Sequence, residues 1–229
     1  MPPPLFLAPG NAPPDVRHNW LATQKEAVAF APTEATASFL PILVARLGAS
    51  NLQVGLLTTI PNLAGFLLAI PIGHFLQGRR NAVPWYAWGR FVGQLGLATM
   101  GITLLLLPDA RAIPVILGIV AVAAVIGSFA NFSFYVVMDG VSGPSGRYEL
   151  MGRRWGLKAA ATALALPVIG FALSEVAFPY NYQLVLLATA IPAAVALRYT
   201  KTFRIPDQAP GAEPSEKPAA HVRASAFVR

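Results

Sequence analysis

The sequence predicts an all-α integral membrane protein with six transmembrane helices. Three observations predict it. Of its 229 residues, 55% are hydrophobic and only 12% charged, and the mean hydropathy is +0.55; a soluble domain carries about 25% charged residues. The apolar residues fall in separate runs, each near the roughly 20 residues a helix needs to cross a bilayer. Prolines recur inside these runs, at Pro32, Pro41, Pro61, Pro71, Pro114, Pro167 and Pro192. In a soluble helix each interior proline would cost about 3 kcal/mol, whereas neighbouring membrane helices can re-satisfy the freed carbonyls. These helices are therefore expected to bend.

The elements follow in chain order. Residues 1–16 are proline-rich, lack a basic stretch before an apolar core, and so read as a disordered cytoplasmic lead rather than a signal peptide. A polar, basic approach from Val16 leads into the first span, 27–47, and Gly48 suits the tight turn that closes it. The second span is 52–76. A polar hinge, 73–84, carries Arg79 and Arg80 and no acid. The third and fourth spans are 85–107 and 112–138, separated by a turn at 108–111. A longer polar loop, 139–152, precedes the fifth span, 154–176, and the sixth is 182–200. Residues 201–229, with four prolines and charges of both signs, read as a disordered cytoplasmic linker or tail. The six spans make one bundle, 17–200.

Basic residues orient the bundle. With the hinge inside, 15 of the 17 lysines and arginines lie at or near the cytoplasmic face, and only Arg46 and Arg111 lie outside. Positive loops resist translocation, so both termini are expected in the cytoplasm, in a bacterial-type plasma (inner) membrane. The net charge of +7 is explained by topology, with no nucleic-acid partner.

Small residues mark packing faces: Gly65, Ala69 and Gly73 in the second span, and Gly89 and Gly93, with Gly96 nearby, in the third. Glu34 stands inside an apolar run beside Thr33 and Thr36. A carboxylate at that depth faces a cavity or a partner. Two readings follow, a contact for substrate or coupling ion and a structural pair with Arg90 or Lys158. In the fourth span Ser128, Asn131, Tyr135 and Met138 share one helical stripe, to line a cavity or to bond neighbouring helices. Asn62, with Thr58 and Thr59, offers a weaker polar group in the second span. Lys25 and Glu26 fall at the inner boundary of the first helix, and Arg90 and Lys158 are expected to reach the cytoplasmic face.

By these features the chain resembles the N-terminal half of a major facilitator superfamily transporter, over about Arg17 to Arg204. Residues 38–50 (SFLPILVARLGAS) resemble the end of helix one in that family, and Gln53-Val54-Gly55-Leu56-Leu57 the start of helix two. Gly78-Arg79-Arg80 resembles the tail of the loop motif G-x-x-x-D-R-x-G-R-R, with Phe75 where the family has aspartate. Pro144-Ser145-Gly146-Arg147 with Met151-Gly152-Arg153-Arg154 resembles the pattern of the next cytoplasmic loop. The resemblance implies a cytoplasmic gating network from Gly78, Arg79, Arg80, Arg147, Arg153 and Arg154, with Asp139 as the alternative partner of Arg79 or Arg80. It also implies transport of a small-molecule solute by alternating access between two six-helix halves, of which this chain supplies one. A missing C-terminal half, or a second copy of the chain, would complete it.

The expected partners are the lipid bilayer and that solute, with no cofactor. The chain has no cysteine, its histidines are His18, His74 and His221, and no HExxH, GxSxG or phosphate loop occurs; no enzyme is expected. A homodimeric six-span carrier and a membrane scaffold without transport remain alternatives. A scaffold has no use for a buried Glu34.

Overall fold

The structure, a computed structural model, describes residues 6–79, 81–107, 109–143 and 146–205. Eight helices account for the order of the described chain: α1 (Pro14–Ala37), α2 (Leu40–Arg46), α3 (Asn51–Gln77), α4 (Val83–Leu106), α5 (Ala112–Ser142), α6 (Arg147–Glu175), α7 (Tyr180–Ala188) and α8 (Ala190–Thr200). With α1–α2 and α7–α8 each counted as one rod, there are six helices long and apolar enough to cross a membrane. No strand occurs among the described residues.

Two spans break where proline requires it. A proline lacks the N–H that would bond the carbonyl four residues back and crowds that carbonyl. The carbonyl four before Pro41 belongs to Ala37, the last residue of α1. The carbonyl four before Pro192 belongs to Ala188, the last residue of α7. Pro32, Pro61, Pro71 and Pro167 stay inside continuous helices. At the α2–α3 turn Gly48 adopts φ +93°, and Ser50 and Gln53 form a reciprocal capping box that starts α3.

Helix ends correct the expected spans. The first rod starts at Pro14 and the second ends at Gln77. The largest difference is in the loop expected at 139–152. Here α5 runs on to Ser142 and α6 begins at Arg147, so only a short connection remains. Gly143 turns the chain at φ +73°. The indole of Trp20 donates to the Ser142 carbonyl at 3.1 Å, satisfying a terminal acceptor of α5.

α4 lies between α5 on one side and α7–α8 on the other, while α1 lies against α6 and α8. α3 joins the bundle through α5, and α6 joins chiefly through α1. These two helices are the least buried of the six rods. The glycine stripe of α4 makes the closest helix approach. A Cβ at Gly89 would lie 3.0 Å from the Ala130 nitrogen, and one at Gly96 3.1 Å from the Ala123 side chain. On α3, a Cβ at Gly65 or Gly73 would meet nothing within 4 Å.

Two apolar clusters close the ends of the bundle. Leu43, Leu97, Leu104, Ile116 and Leu186 meet at the end away from the termini. Trp20, Tyr86, Phe134, Met138 and Phe203 meet at the end that carries both termini. The flanking segments are tied there. Gln24 bonds both backbone groups of Leu7. Asn19 does the same for Arg204, its amide donating to the carbonyl at 2.7 Å and its oxygen accepting from the N–H at 2.8 Å. Residues 201–205, expected as part of a disordered tail, therefore dock on α1; the rest of that tail lies outside the described residues.

Candidate functional site

α1 carries two carboxylates into the bundle, and each meets cations from other helices. Glu26 is fully buried. Its Oε1 lies 2.6 Å from Arg90 Nε and accepts from the Tyr86 hydroxyl at 3.2 Å. Its Oε2 accepts from Arg154 Nη2 at 2.9 Å. Aromatic faces complete the shell: the Arg90 guanidinium lies 3.6 Å from the Phe30 ring centre, and that of Arg154 lies 4.7 Å from the Phe134 ring centre. One acid thus serves two guanidiniums.

Farther along α1, Glu34 meets Lys158 of α6. The ammonium donates to Oε1 at 3.0 Å and lies 2.9 Å from Oε2. The Lys158 side chain is 11% exposed, the Glu34 side chain 40%. Lys158 Nζ also lies 4.1 Å from the Trp155 ring centre. From Arg147 to Lys158 the helix rises about 16 Å, and from Lys158 to Glu175 about 25 Å. The pair is therefore deep within the length of a spanning helix.

The spacing explains these meetings. Arg154, Lys158 and Thr162 recur every fourth residue on α6, and Glu26, Phe30 and Thr33 form one stripe of α1. α1 and α6 pack on each other. Of the two pairing partners considered for Glu34, the structure brings Lys158; Arg90 goes to Glu26. Expected at the polar boundary, Glu26, Arg90 and Lys158 are instead drawn inside. The signal available in the sequence was the presence of Arg90 and Lys158 within apolar runs, where a cation needs an acid partner.

The other candidates separate. Ser128 is buried and its hydroxyl donates to the Ala124 carbonyl within its own helix, at 2.8 Å. Asn131, Tyr135 and Asn62 are exposed on the outside of the bundle. Tyr135 packs edge-on against Phe134, and Phe134 against Trp155, which links the α5 stripe to the Lys158 neighbourhood. Met138 points into the apolar cluster at the end bearing the termini.

The loop candidates also divide. Gly78 caps the C-terminus of α3. Arg79 lies over the rings of Phe75 and Trp85, at 4.4 and 5.3 Å. Asp139 pairs with Arg147 at 2.6 Å across the α5–α6 connection, so it does not take the place expected beside Arg79. Arg153 pairs with Glu149 one turn earlier. Arg154 is interior to α6 and buried. Arg80, Pro144 and Ser145 lie outside the described residues.

A cavity of about 390 Å³ between α1, α6 and α7–α8 is a separate feature. Val168, Ala172, Val185 and Val195 line it, and the hydroxyls of Thr36 and Thr189 are already bonded to backbone carbonyls. It offers apolar contact and no free polar group.

Together these features define an all-helical protein with six helices long and apolar enough to cross a membrane and a charged seam between them. Comparison with family models, with curated proteins and with solved structures finds no match for the chain.

Proposed function

We propose that the chain is one six-helix unit of a secondary transporter of the major facilitator type, carrying a small solute by alternating access. The observation that carries this reading is the Glu34–Lys158 pair, deep within two spans, with Glu34 open to the outside of the bundle. Asn131 and Tyr135 on α5 and Asn62 on α3 add exposed polar groups on the spans. Amides and ion pairs within membrane-spanning segments are stabilised by a polar cavity or a partner. The little-buried α3 and α6 supply surface for a second six-helix unit, either a different one or another copy of this chain, closing around a midplane site. Excess lysine and arginine on one side supports the orientation with both termini in the cytoplasm of a cell with a bacterial-type inner membrane.

Accessibility of single cysteines in lipid tests the cavity, on a background free of native cysteine. Cysteines replacing Asn131 and Tyr135 are expected to react with a water-soluble maleimide, and those replacing Phe66 and Leu164 to stay protected. Protection at all four positions would remove the aqueous cavity and with it the transport reading. Orientation is checked the same way: Ala49→Cys and Ala110→Cys react from outside, Asn81→Cys only after the membrane is opened. Uptake into liposomes by this chain alone, with a crosslinked dimer, would select the two-copy assembly.

A further inference from the structure

We propose that the seam between α1 and α6 binds a small organic carboxylate, which displaces Glu34 from Lys158. Two independent accounts point to an acceptor-bearing anion. The first is charge. The seam holds Glu26 and Glu34 against Arg90, Arg154 and Lys158, so one positive charge is left over within the spans, on the Glu26 side where one acid serves two guanidiniums, and its field draws an anion to the seam. An uncompensated charge at that depth is costly, and a monoanion neutralises it.

The second is hydrogen bonding. Buried polar atoms are nearly always partnered, and an unpartnered one is most costly in lipid. Arg154 Nε, the Thr33 hydroxyl and the Thr162 hydroxyl are all sealed from solvent and have no hydrogen-bond partner. Thr162 follows Lys158 by one turn on the same stripe, and Thr33 adjoins Glu34. Arg154, one turn before Lys158, lies on the Glu26 side; the two hydroxyls nearer the Glu34–Lys158 pair can donate, and their complement is a group that carries acceptors.

The pair itself shows how such a group enters. Lys158 is nearly buried while Glu34 is 40% exposed. The cation is held inside, and the Glu34 side chain reaches the open side while its Oε2 is sealed against Lys158. Glu34 thus occupies the position a solute carboxylate would take. The rings of Trp155 and Phe30, 4.1 and 5.9 Å from Lys158 Nζ, offer an apolar body to the rest of the molecule. A cationic solute would have to compete with Lys158 for Glu34 beside two further guanidiniums.

This site is the one assigned above to the solute, and the anion class adds the sign of its charge. Equilibrium dialysis of labelled benzoate, benzamide and benzylamine against the purified full chain in lipid nanodiscs tests it. Benzoate is expected to bind saturably and the two other probes not. Glu34→Gln, which neutralises the internal competitor, is expected to tighten benzoate binding several-fold. Lys158→Gln is expected to weaken it about tenfold or more. Because that variant leaves Glu34 unpaired, the double variant Glu34→Gln/Lys158→Gln, neutral at both positions, serves as the folded control and is expected to lose binding.

Preference for benzylamine, weaker benzoate binding in Glu34→Gln, unchanged binding in the double variant, or no saturable benzoate binding would each overturn the proposal. Benzoate binding as expected, with no reaction of cysteines at Asn131 and Tyr135, would leave the anion site standing and remove the transport reading. Cysteine reaction together with benzylamine binding would do the reverse.

Discussion

Glu26 and Glu34 stand on the same helix, about 12 Å apart in rise, and each faces cations from other helices. Yet one is sealed and the other open. Glu26 has two guanidiniums, a tyrosine hydroxyl and no exposed surface. Glu34 has one ammonium, and two-fifths of its side chain is free. The difference teaches where structure and exchange can be separated. A carboxylate held from two other helices cannot leave without stranding the charges around it. A carboxylate held by one lysine on an open face can.

The largest expected effect is at the sealed acid. Glu26→Gln leaves Arg90 and Arg154 without their counter-charge, and removing one partner from a buried ion pair costs about 3–5 kcal/mol. Thermal unfolding in mild detergent should show a large loss of stability. A variant as stable as the parent would mean that the two carboxylates do not differ in kind.

Next comes the α4–α5 seam that positions Arg90. Gly89→Val places a side chain against backbone atoms of Ile126 and Ala130 at about 3 Å, so the helices must part, at an expected 1–3 kcal/mol. Gly65→Ala on α3 meets nothing and should be neutral, or stabilising by up to about 1 kcal/mol through helix propensity. Equal losses at both glycines would show that α3 is covered as closely as α4. Then Glu34→Gln, which leaves the nearly buried Lys158 without its acid, should lower stability by less than Glu26→Gln, which strands two guanidiniums, while abolishing saturable solute uptake. Loss of the folded protein in this variant would make Glu34 structural and erase the contrast with Glu26.

The same contrast shows what could be read in the sequence. The six spans were legible because composition and run length suffice to define a membrane-crossing helix. Glu34 was legible because it is a lone acid in an apolar stretch. Glu26 was not, because Arg17, His18, Asn19, Gln24 and Lys25 precede it and make the stretch look interfacial; only the packing of α4 and α6 carries it inside. The loop between α5 and α6 was over-read from its glycines. Gly140 remains helical, with Ile205 so close that a Cβ there would lie 2.7 Å from it, and Gly146 makes room for the Trp20 ring. In both cases the glycine serves a close approach, which periodicity along one helix does not reveal. The two glycine stripes looked alike in sequence, and only the neighbour facing each distinguishes them.

A third acid sets the lower end of the scale. Asp109, outside the spans and exposed, accepts from Arg111 Nη2 at 2.8 Å and from the Arg111 backbone N–H at 2.9 Å. The Arg111 side-chain bonds, followed by the backbone bond, hold its carboxyl below the usual carboxylate value. A lowered folded-state pKa means that any stabilisation is present above the ordinary aspartate value of about 3.9 and is lost as pH falls through the folded-state value. The expected outcome is a very small advantage of the parent over Asp109→Asn at pH 7, reduced by salt, that disappears on acidification below the ordinary range. Unfolding curves of the two proteins across that pH range check it. An advantage that grew as the pH fell would reverse the sign. An advantage at pH 7 as large as that at Glu26 would mean that enclosure by several helices is not what separates these carboxylates.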